Sequence, residues 1–170
     1  MNKTKTLHKL FWIWEFEKEE RWLNEMAQEG WALKQAGFCT YTFELCEPGE
    51  YIIRLEMIDN SPAFQSFMEE LDAEAVGKCV NWAYFRRKAE LGEFNMFSDI
   101  DSRVGHLNKI SKTLTLLCTA NILIGLTNTF SSSNSRLAWL NLLCAALLAY
   151  GLGRIHGMRD GLEAERTLHE

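Results

Sequence analysis

Hydrophobic and polar positions alternate in short segments through the first half of the chain and then give way to two long uncharged runs. Residues 113–135 and 137–153 contain no acidic or basic side chain, and only Arg136 separates them. A hydrocarbon core about 30 Å thick needs roughly 20 helical residues at about 1.5 Å each. The first run is long enough, and the second is long enough if Arg154 snorkels to the interface. The pattern predicts a transmembrane helical hairpin over residues 113–156.

Shorter periodicities predict a mixed α+β domain over residues 1–90. Residues 10–14 are apolar on both faces and rich in aromatic side chains, which indicates a central strand. Apolar residues at three- and four-residue spacing predict helices over 15–28 and 63–72, and two-residue alternation predicts strands over 31–45, 50–59 and 76–88. Gly30 ends the first helix, and Ser61 followed by Pro62 begins the second. The resulting order of strand, helix, strand, strand, helix, strand predicts a ferredoxin-like split βαβ fold.

Right-handed crossovers would place both helices on one face of this sheet and leave the other face open. If Phe11, Ile13, Tyr51, Ile53 and Leu55 pack beneath the helices, the open face presents a candidate interaction surface. This surface consists of Trp12, Trp14, Ile52, Arg54, Glu56, Trp82, Tyr84 and Arg86. Several tryptophans are poor residues to leave in water, so we expect a cover. A homodimer, the juxtamembrane segment of the chain itself, a ligand and another protein are the alternatives.

Residues 91–112 predict an amphipathic connector helix that enters the first span without a break. Ser98 and Asp101 form a start similar to a capping box. The apolar stripe consists of Ile100, Val104, Leu107 and Ile110. Such a helix either transmits a movement of the domain to the membrane or holds the domain at a fixed angle. Residues 157–170 are expected to form a cytoplasmic tail.

Asn121 and Asn141 are the costliest residues of the predicted spans to expose to lipid, so we expect them at a contact between the two helices. Small residues in the second span would let the helix backbones approach each other. Packing is the expected use of this polarity, because a conducting path needs more than one hairpin.

Charge is unevenly distributed along the chain. Residues 1–110 hold 13 Lys and Arg against 19 Asp and Glu, and this acidic balance argues against binding to nucleic acid or to an anionic lipid surface. Six basic residues flank the predicted hairpin, against Arg136 alone in its connection, which predicts a multi-pass cell-membrane protein with both termini in the cytoplasm. No cleavable leader pattern precedes the domain, so we expect residues 1–110 to stay in the cytoplasm.

Chemical motifs are scarce. The five cysteines include no C-x-x-C pair and are predicted to be buried thiols. Asp99, Asp101, Arg103 and His106 do not supply three or four converging metal ligands, and the glutamates at 15, 17, 19, 20, 25 and 29 indicate the solvated face of a helix. No Ser-His-Asp, Walker or glycine-rich phosphate pattern is present. We therefore expect no enzymatic activity, no cofactor and no metal.

Several dispersed segments resemble a known family. They are residues 11–20 (FWIWEFEKEE), 22–27 (WLNEMA), 30–33 (GWAL), 41–44 (YTFE), 48–51 (PGEY), 54–56 (RLE) and 97–107. Together they are similar to the membrane proteins of the domain of unknown function 2812 family, over roughly residues 8–112. The resemblance implies a cytoplasmic domain tethered to a short membrane region, often encoded beside PadR-like transcription regulators, with no established activity and no functional residues to transfer.

These observations predict a noncatalytic, membrane-anchored sensory or adaptor module. Its cytoplasmic sheet face would bind a protein or small ligand, or a second copy of the chain, in signalling or transcriptional regulation. The alternative is an accessory subunit of a membrane transporter.

Overall fold

The chain forms two compact units, Met1–Met96 (unit 1) and Phe97–Glu170 (unit 2). The structure is a computed structural model that describes residues 3–57, 61–79, 82–94, 100–130 and 135–169. The two units are described separately below.

Unit 1 is a six-stranded sheet with two α-helices. The strands are β1 (Thr4–His8), β2 (Trp31–Gly37), β3 (Thr40–Leu45), β4 (Tyr51–Met57), β5 (Glu74–Cys79) and β6 (Trp82–Lys88). The helices are α1 (Phe16–Gln28) and α2 (Pro62–Glu70), and short 3-10 turns occupy Ile13–Glu15 and Ala89–Leu91. The strand order is β1-β3-β2-β5-β6-β4, and every neighbouring pair is antiparallel except β2 with β5.

The two helices of unit 1 cover opposite faces of the sheet. Tyr84 of β6 donates a hydrogen bond to Glu19 of α1, whereas the next residue, Phe85, packs in a cluster with Met68 of α2. Successive side chains of a strand point to opposite faces, so α1 and α2 define an α1 face and an α2 face. The prediction that both helices share one face is therefore wrong.

The predicted central strand over residues 10–14 is also wrong. Residues 10–12 have no regular structure, and Ile13–Glu15 forms a 3-10 turn that leads directly into α1. The Phe11 ring lies 5.6 Å from the ring of Trp22 between centroids, so this residue packs against its own helix, while Leu10 and Trp12 remain exposed. A short apolar run carries no periodicity that separates these outcomes. The first strand of the chain is instead β1, which lies at one edge of the sheet and pairs with β3.

Two segments predicted as single strands contain two strands each. Residues 31–45 form β2 and β3, which pair antiparallel through a tight turn rather than making one bent strand. The strand predicted over residues 76–88 is replaced by β5 and β6, which begin at Glu74 and also pair antiparallel. The sheet therefore has six strands where four were predicted, and a ferredoxin-like split βαβ arrangement is not confirmed. The structure shows an α+β sheet unit followed by two long apolar helices.

The predicted stop of α1 at Gly30 and the predicted start of α2 at Ser61 and Pro62 are confirmed. Gly30 ends α1 with φ of +85°, and a Cβ at this position would lie 3.1 Å from the carbonyl oxygen of Cys46, so both conformation and space favour glycine. At the start of α2 the Ser61 hydroxyl accepts a hydrogen bond from the backbone N–H of Phe64, and Pro62 is the first helical residue.

Side chains of α1 also cover the free edge of β4. Asn24 donates to the carbonyl oxygen of Ile53 and accepts from its N–H, both at 2.9 Å. Glu20 accepts from the N–H of Leu55 at 3.0 Å. Without these bonds the backbone groups of β4 would be available to pair with a strand of another molecule. An open sheet edge of that kind promotes aggregation. One helix thus covers both a face and an edge of the sheet.

Unit 2 consists of α3 (Ile100–Phe130) and α4 (Ser135–His169), which pack against each other. By length and composition both helices could cross a membrane. Leu107, Ile110 and Leu114 are buried, so the predicted connector stripe continues unbroken into the apolar part of α3. The predicted helix start at Ser98 lies outside the described residues. α4 continues as a helix through much of the predicted tail.

We predict that Asn24→Ala lowers the free energy of unfolding by about 1–3 kcal/mol, because it leaves the Ile53 N–H and C=O without their side-chain partner. Glu25→Ala is the matched control, since Glu25 is exposed on the same helix. The measurement is thermal unfolding of the full chain in mild detergent, where 1 kcal/mol corresponds to roughly 4–8 °C for a domain of this size. Equal melting temperatures for the two variants would show that the edge contact contributes nothing.

Candidate functional site

The structure does not bring the predicted interaction surface onto one face. In the β4–β6 pair, Ile53 lies opposite Arg86 and Leu55 lies opposite Tyr84. Directly opposed residues share a face of an antiparallel sheet. Trp82, Tyr84 and Arg86 therefore lie on the α1 face, while Ile52, Arg54 and Glu56 start from the α2 face. The predicted phase of β6 relative to β4 is wrong by one residue.

Most residues of that predicted surface make contacts inside unit 1. Trp82 is 8% exposed and stacks on Phe16, with ring centroids 5.4 Å apart. Ile52 packs against the α2 cluster, and Glu56 is buried. Arg54 reaches the edge of the sheet, where its guanidinium donates to Glu20 at 3.0 Å and to the carbonyl oxygen of Phe94 at 2.7 Å. These residues are not available as an open aromatic face.

The buried carboxyl group of Glu19 joins α1 to two strands. Glu19 was predicted to lie on the solvated face of α1. The hydroxyl groups of Tyr41 (β3) and Tyr84 (β6) both donate to Oε1 of Glu19, each at 2.6 Å. All three residues are buried. We call this group the Glu19–tyrosine cluster. The ring of Trp22 packs edge-on against Tyr41, 5.1 Å between centroids, and adds apolar cover.

Burial controls the protonation of this cluster. Desolvation raises the pKa of Glu19, and the hydrogen bonds from Tyr41 and Tyr84 offset part of that rise. Burial also raises the pKa of both tyrosines, and their proximity to Glu19 raises it further. The phenols therefore remain protonated donors, and a carboxyl group held by two such donors serves as a structural acceptor.

The sequence contained a signal for Glu19 that the charge pattern obscured. Glu19 lies three residues after Phe16 and four before Leu23, so it falls on the apolar stripe of α1. Glu17 and Glu25 fall off this stripe and are exposed. Spacing therefore separates the buried glutamate from the solvated ones.

A second polar group connects four strands. Arg86 on β6 donates to Glu74 on β5 at 2.7 Å, to the carbonyl oxygen of Leu33 on β2 at 3.0 Å, and to Glu44 on β3 at 2.7 Å. The hydrogen bond from Arg86 lowers the pKa of Glu44. Because β2 and β5 pair only at Ala36 and Gly77, this guanidinium supplies a link where the strands lack a ladder of backbone bonds.

One end of the sheet exposes large hydrophobic side chains. Leu10, Trp12 and Phe38 are 59%, 45% and 76% exposed. The Lys9 N–H donates to the carbonyl oxygen of Cys39 at 3.2 Å, which holds the segment after β1 beside the β2–β3 turn. We call Leu10, Trp12 and Phe38, with the adjoining Lys9, the exposed corner. Trp12 is thus the residue of the predicted surface with the most exposed side chain, and Trp14, stacked on it at 5.2 Å, is half-buried.

Potential metal ligands and cysteine thiols are present among the residues that the structure describes. Within those residues, no three His, Cys, Asp or Glu side chains are grouped as metal ligands. All five cysteines are free thiols; Cys118 is buried, and the other four are half-buried rather than fully buried as predicted.

The sequence profile of a family described as "Protein of unknown function (DUF2812)" matches residues 15–119, more than half of the 170-residue chain. The chain belongs to this family. The predicted resemblance is therefore confirmed. No curated protein and no solved structure shows significant similarity to the chain.

In this DUF2812 protein the Glu19–tyrosine cluster and Arg86 lie inside the matched region. Part of the exposed corner lies outside it. Glu19, Tyr41, Tyr84 and Arg86 all lie between residues 15 and 119, whereas Leu10 precedes the match, as do Trp12 and the whole of β1. The match also extends through the first two-thirds of α3. The family region thus joins the sheet unit to the first long apolar helix.

We predict that Glu19→Ala lowers the free energy of unfolding by about 2–6 kcal/mol, because two buried hydroxyl groups lose their acceptor at about 1–3 kcal/mol each. Glu17→Ala, on the exposed side of α1, should change it by less than about 0.5 kcal/mol. Chemical unfolding of the full chain in mild detergent measures both. Similar effects of the two substitutions would contradict the structural role of Glu19.

The pH dependence provides a second test on the same site. Because the folded-state pKa of Glu19 lies above the ordinary value of 4.5, its contribution to stability is complete below that value and is lost as pH rises through the folded-state pKa. Glu19→Gln keeps an acceptor and cannot ionise. Its stability relative to the natural protein should therefore increase from acid to neutral pH, and a constant difference would contradict this assignment.

Proposed function

We propose that this DUF2812 protein is a noncatalytic, membrane-anchored adaptor or sensory module. Helices α3 and α4 cross the cell membrane as a hairpin with both termini in the cytoplasm. Unit 1 is held at the cytoplasmic surface, where it binds a protein partner.

A band of exposed apolar side chains on unit 2 is the observation that carries the proposal. On α3 the band comprises Leu116, Leu117, Ile122, Leu123, Ile124, Leu126 and Phe130, and on α4 it comprises Trp139, Leu140, Leu143 and Leu147. Each such side chain would contribute about 1.5–3 kcal/mol if removed from water. A bilayer removes them all from water without further protein contacts. On the side proposed to be cytoplasmic the nearest flanking charges are Lys112 and Arg154, and Arg136 is the one charged residue in the connection on the other side.

The polar side chains in the apolar part of the hairpin also suit a bilayer. Asn121 donates to the carbonyl oxygen of Leu117 at 2.9 Å, and Thr129 donates to that of Gly125 at 2.9 Å. The Cys118 thiol donates to the carbonyl oxygen of Ala145 across the helix pair at 3.4 Å. In hydrocarbon, where no water can replace them, such internal partners are required.

Close packing between the helices agrees with the same environment. A Cβ added at Gly125 would lie 3.1 Å from Leu142 and 3.4 Å from the Cβ of Asn141. Asn141 therefore lies at the helix contact, as predicted, whereas the amide of Asn121 bonds within its own helix. Small residues at such contacts allow helix association in membranes, where no hydrophobic effect drives it.

The sheet face that remains exposed in unit 1 is polar and suits a hydrophilic protein surface. Thr6 on β1 bonds to Thr42 on β3 at 3.2 Å, and Thr40 bonds to His8 at 3.2 Å. These cross-strand pairs lie on the face of β1 and β3 opposite to Tyr41 and Phe43, which pack toward α1. The Glu19–tyrosine cluster and the Arg86 group are occupied in holding strands together. Hydroxyl groups that are exposed or half-buried on this sheet face can form hydrogen bonds with a protein partner.

We predict that affinity purification of the full chain in mild detergent retains a stoichiometric soluble protein, and that Thr6→Arg with Thr42→Arg reduces its recovery about tenfold or more, a loss of about 1.4 kcal/mol. Ser66→Arg is the matched control, because Ser66 is exposed on α2.

A transporter accessory subunit would give a different result. Recovery of a multispan permease that is unaffected by both sets of arginine substitutions would contradict the adaptor proposal. Equal loss of the partner in the Ser66→Arg control would show that the exposed threonines are not its binding surface.

A further inference from the structure

We infer that the outer edge of β1 binds an extended acidic segment of a partner protein as an added antiparallel strand. The inference rests on the proposed function and deepens it, since it names the chemistry of the partner and the way in which unit 1 binds it. The backbone of β1 provides the hydrogen bonds, and the lysines of this segment select carboxylate side chains.

The hydrogen-bond pattern of β1 determines which of its backbone groups face outward. At one end of the β1–β3 pair the Leu45 N–H donates to the carbonyl oxygen of Lys3 at 3.1 Å, and at the other end the Lys9 N–H donates to that of Cys39 at 3.2 Å. Hydrogen-bonded residues alternate along an antiparallel strand, so residues 3, 5, 7 and 9 bond to β3. The residues between them direct their N–H and C=O groups to the outer edge, and these are Thr4, Thr6 and His8.

The two edges of the sheet differ in how their backbone groups are used. The edge strands are β1 and β4. Side chains of α1 bond to the outward groups of Ile53 and Leu55 on β4. Within the residues that the structure describes, no strand pairs with the outer edge of β1, and its outward residues are exposed. Because such an edge is a template for another strand, unit 1 offers a strand-binding site at β1 that it does not offer at β4.

The side chains that flank this edge on the α1 face are basic. Phe43 lies opposite Lys5, and the Phe43 ring packs on Trp22 of α1. Alternate residues of a strand share a face, so residues 3, 5, 7 and 9 present their side chains on the α1 face. They are Lys3, Lys5, Leu7 and Lys9, and residues 1–14 contain no Asp or Glu.

The positive charge of these lysines is available to a partner. The Lys5 ammonium lies 4.2 Å from the ring centroid of Trp31, and that of Lys9 lies 4.4 Å from the ring centroid of Trp22. Among the described residues, these two ammonium groups contact aromatic rings rather than carboxylates. A ring attracts a cation without cancelling its charge, so a partner carboxylate can still pair with it.

Charge favours an acidic strand over a second copy of β1. A two-fold axis through Thr6 would pair all the outward residues of two copies, and it would place Lys3 of one copy directly opposite Lys9 of the other. Like charges directly opposite each other destabilise a strand pair, and lysines on edge strands oppose self-association. Carboxylates at the same positions form ion pairs instead. These are the non-hydrogen-bonded positions, where opposed side chains approach most closely.

The register of the added strand defines the sequence pattern of the partner. Acidic side chains lie opposite the three lysines, and an apolar side chain lies opposite Leu7. Read from its N-terminus, the partner segment is therefore acidic, any residue, apolar, any residue, acidic, any residue, acidic. The blocked peptide Glu-Thr-Val-Thr-Glu-Thr-Glu has this pattern and serves as the probe. The same peptide with lysine at each glutamate is the matched control.

Amide hydrogen exchange of the isotope-labelled full chain in mild detergent, followed for each residue by NMR, tests the added strand. In the free chain we expect fast exchange at Thr4, Thr6 and His8, because their N–H groups face outward. Lys5 and Leu7 should exchange slowly in every sample. The glutamate peptide at about ten times its Kd should slow exchange of the three outward amides about tenfold, since exchange then requires release of the peptide. The lysine peptide should leave them unchanged.

Substitutions at the edge separate the backbone from the side chains. Thr6→Pro removes an outward N–H without removing a bond to β3, so the β1–β3 pairing is retained. It should weaken binding of the glutamate peptide about tenfold, through one lost hydrogen bond and the bulk of the ring. Thr6→Val keeps the N–H and should leave binding unchanged. Lys3→Glu with Lys9→Glu should reverse the preference between the two peptides.

Several results would overturn the inference. Unchanged exchange at the outward amides with the glutamate peptide at about 1 mM, or equal protection by both peptides, would exclude an acidic added strand. Slow exchange at these amides in the free chain would mean that the edge is already covered. The cover would be a second copy if the protection falls on dilution, and the chain itself if it does not.

Co-purification distinguishes failure of this inference from failure of the proposed function. If the retained soluble protein is lost in Thr6→Arg with Thr42→Arg but kept in Thr6→Pro, the adaptor proposal stands and the added strand fails. If the natural chain retains no soluble protein, the proposed function fails.

Discussion

Unit 1 depends on one helix that bonds to three strands through side chains of consecutive turns. In α1, Glu19 accepts hydrogen bonds from tyrosines of β3 and β6, Glu20 accepts from the backbone of β4, and Asn24 completes the cover of the β4 edge. These bonds are directional, whereas the apolar packing around them is not. They fix the position of the helix along the sheet, and with it the start of α1 where the tryptophan stack of the exposed corner is anchored.

Unit 2 differs from unit 1 in where its apolar and polar side chains lie. Many of its large apolar side chains are exposed, and several of its polar groups bond across the hairpin or within their own helix. The Ser111 hydroxyl and the His156 ring nitrogen, 2.9 Å apart, pair α3 with α4 close to the flanking charges Lys112 and Arg154. A hairpin arranged in this way suits an apolar surrounding, while unit 1 carries its apolar cluster between helix and sheet. The two units therefore suit two different solvents within one chain.

Local sequence patterns predicted much of this fold correctly. The spacing of apolar residues located α1 and α2, the serine and proline before α2 predicted its start, and the uncharged runs located α3 and α4. Each of these signals acts over a few residues, between neighbours on the same helix. The family resemblance was likewise carried by short local segments and is confirmed.

The predictions that were wrong concerned features that depend on pairing between segments distant in sequence. Alternation along β6 shows that its side chains divide between two faces, but only the register with β4 shows which set lies beneath α1. Residues 10–14 have the composition of a strand, and packing of Phe11 on Trp22 makes them a turn. Glu19 was misjudged because its charge suggested solvent, although two tyrosines distant in sequence supply donors in the interior. The site was therefore less predictable than the elements that position it.

Substituted-cysteine labelling in intact cells tests the membrane hairpin most directly. Single cysteines replace Glu90, Ser133 and Glu165 in a chain without its natural cysteines, and a membrane-impermeant maleimide is added before or after permeabilisation. The account predicts that residue 133 is labelled in intact cells, whereas residues 90 and 165 are labelled only after permeabilisation. Labelling of residue 90 in intact cells, or protection of residue 133 until the cells are opened, would contradict the account.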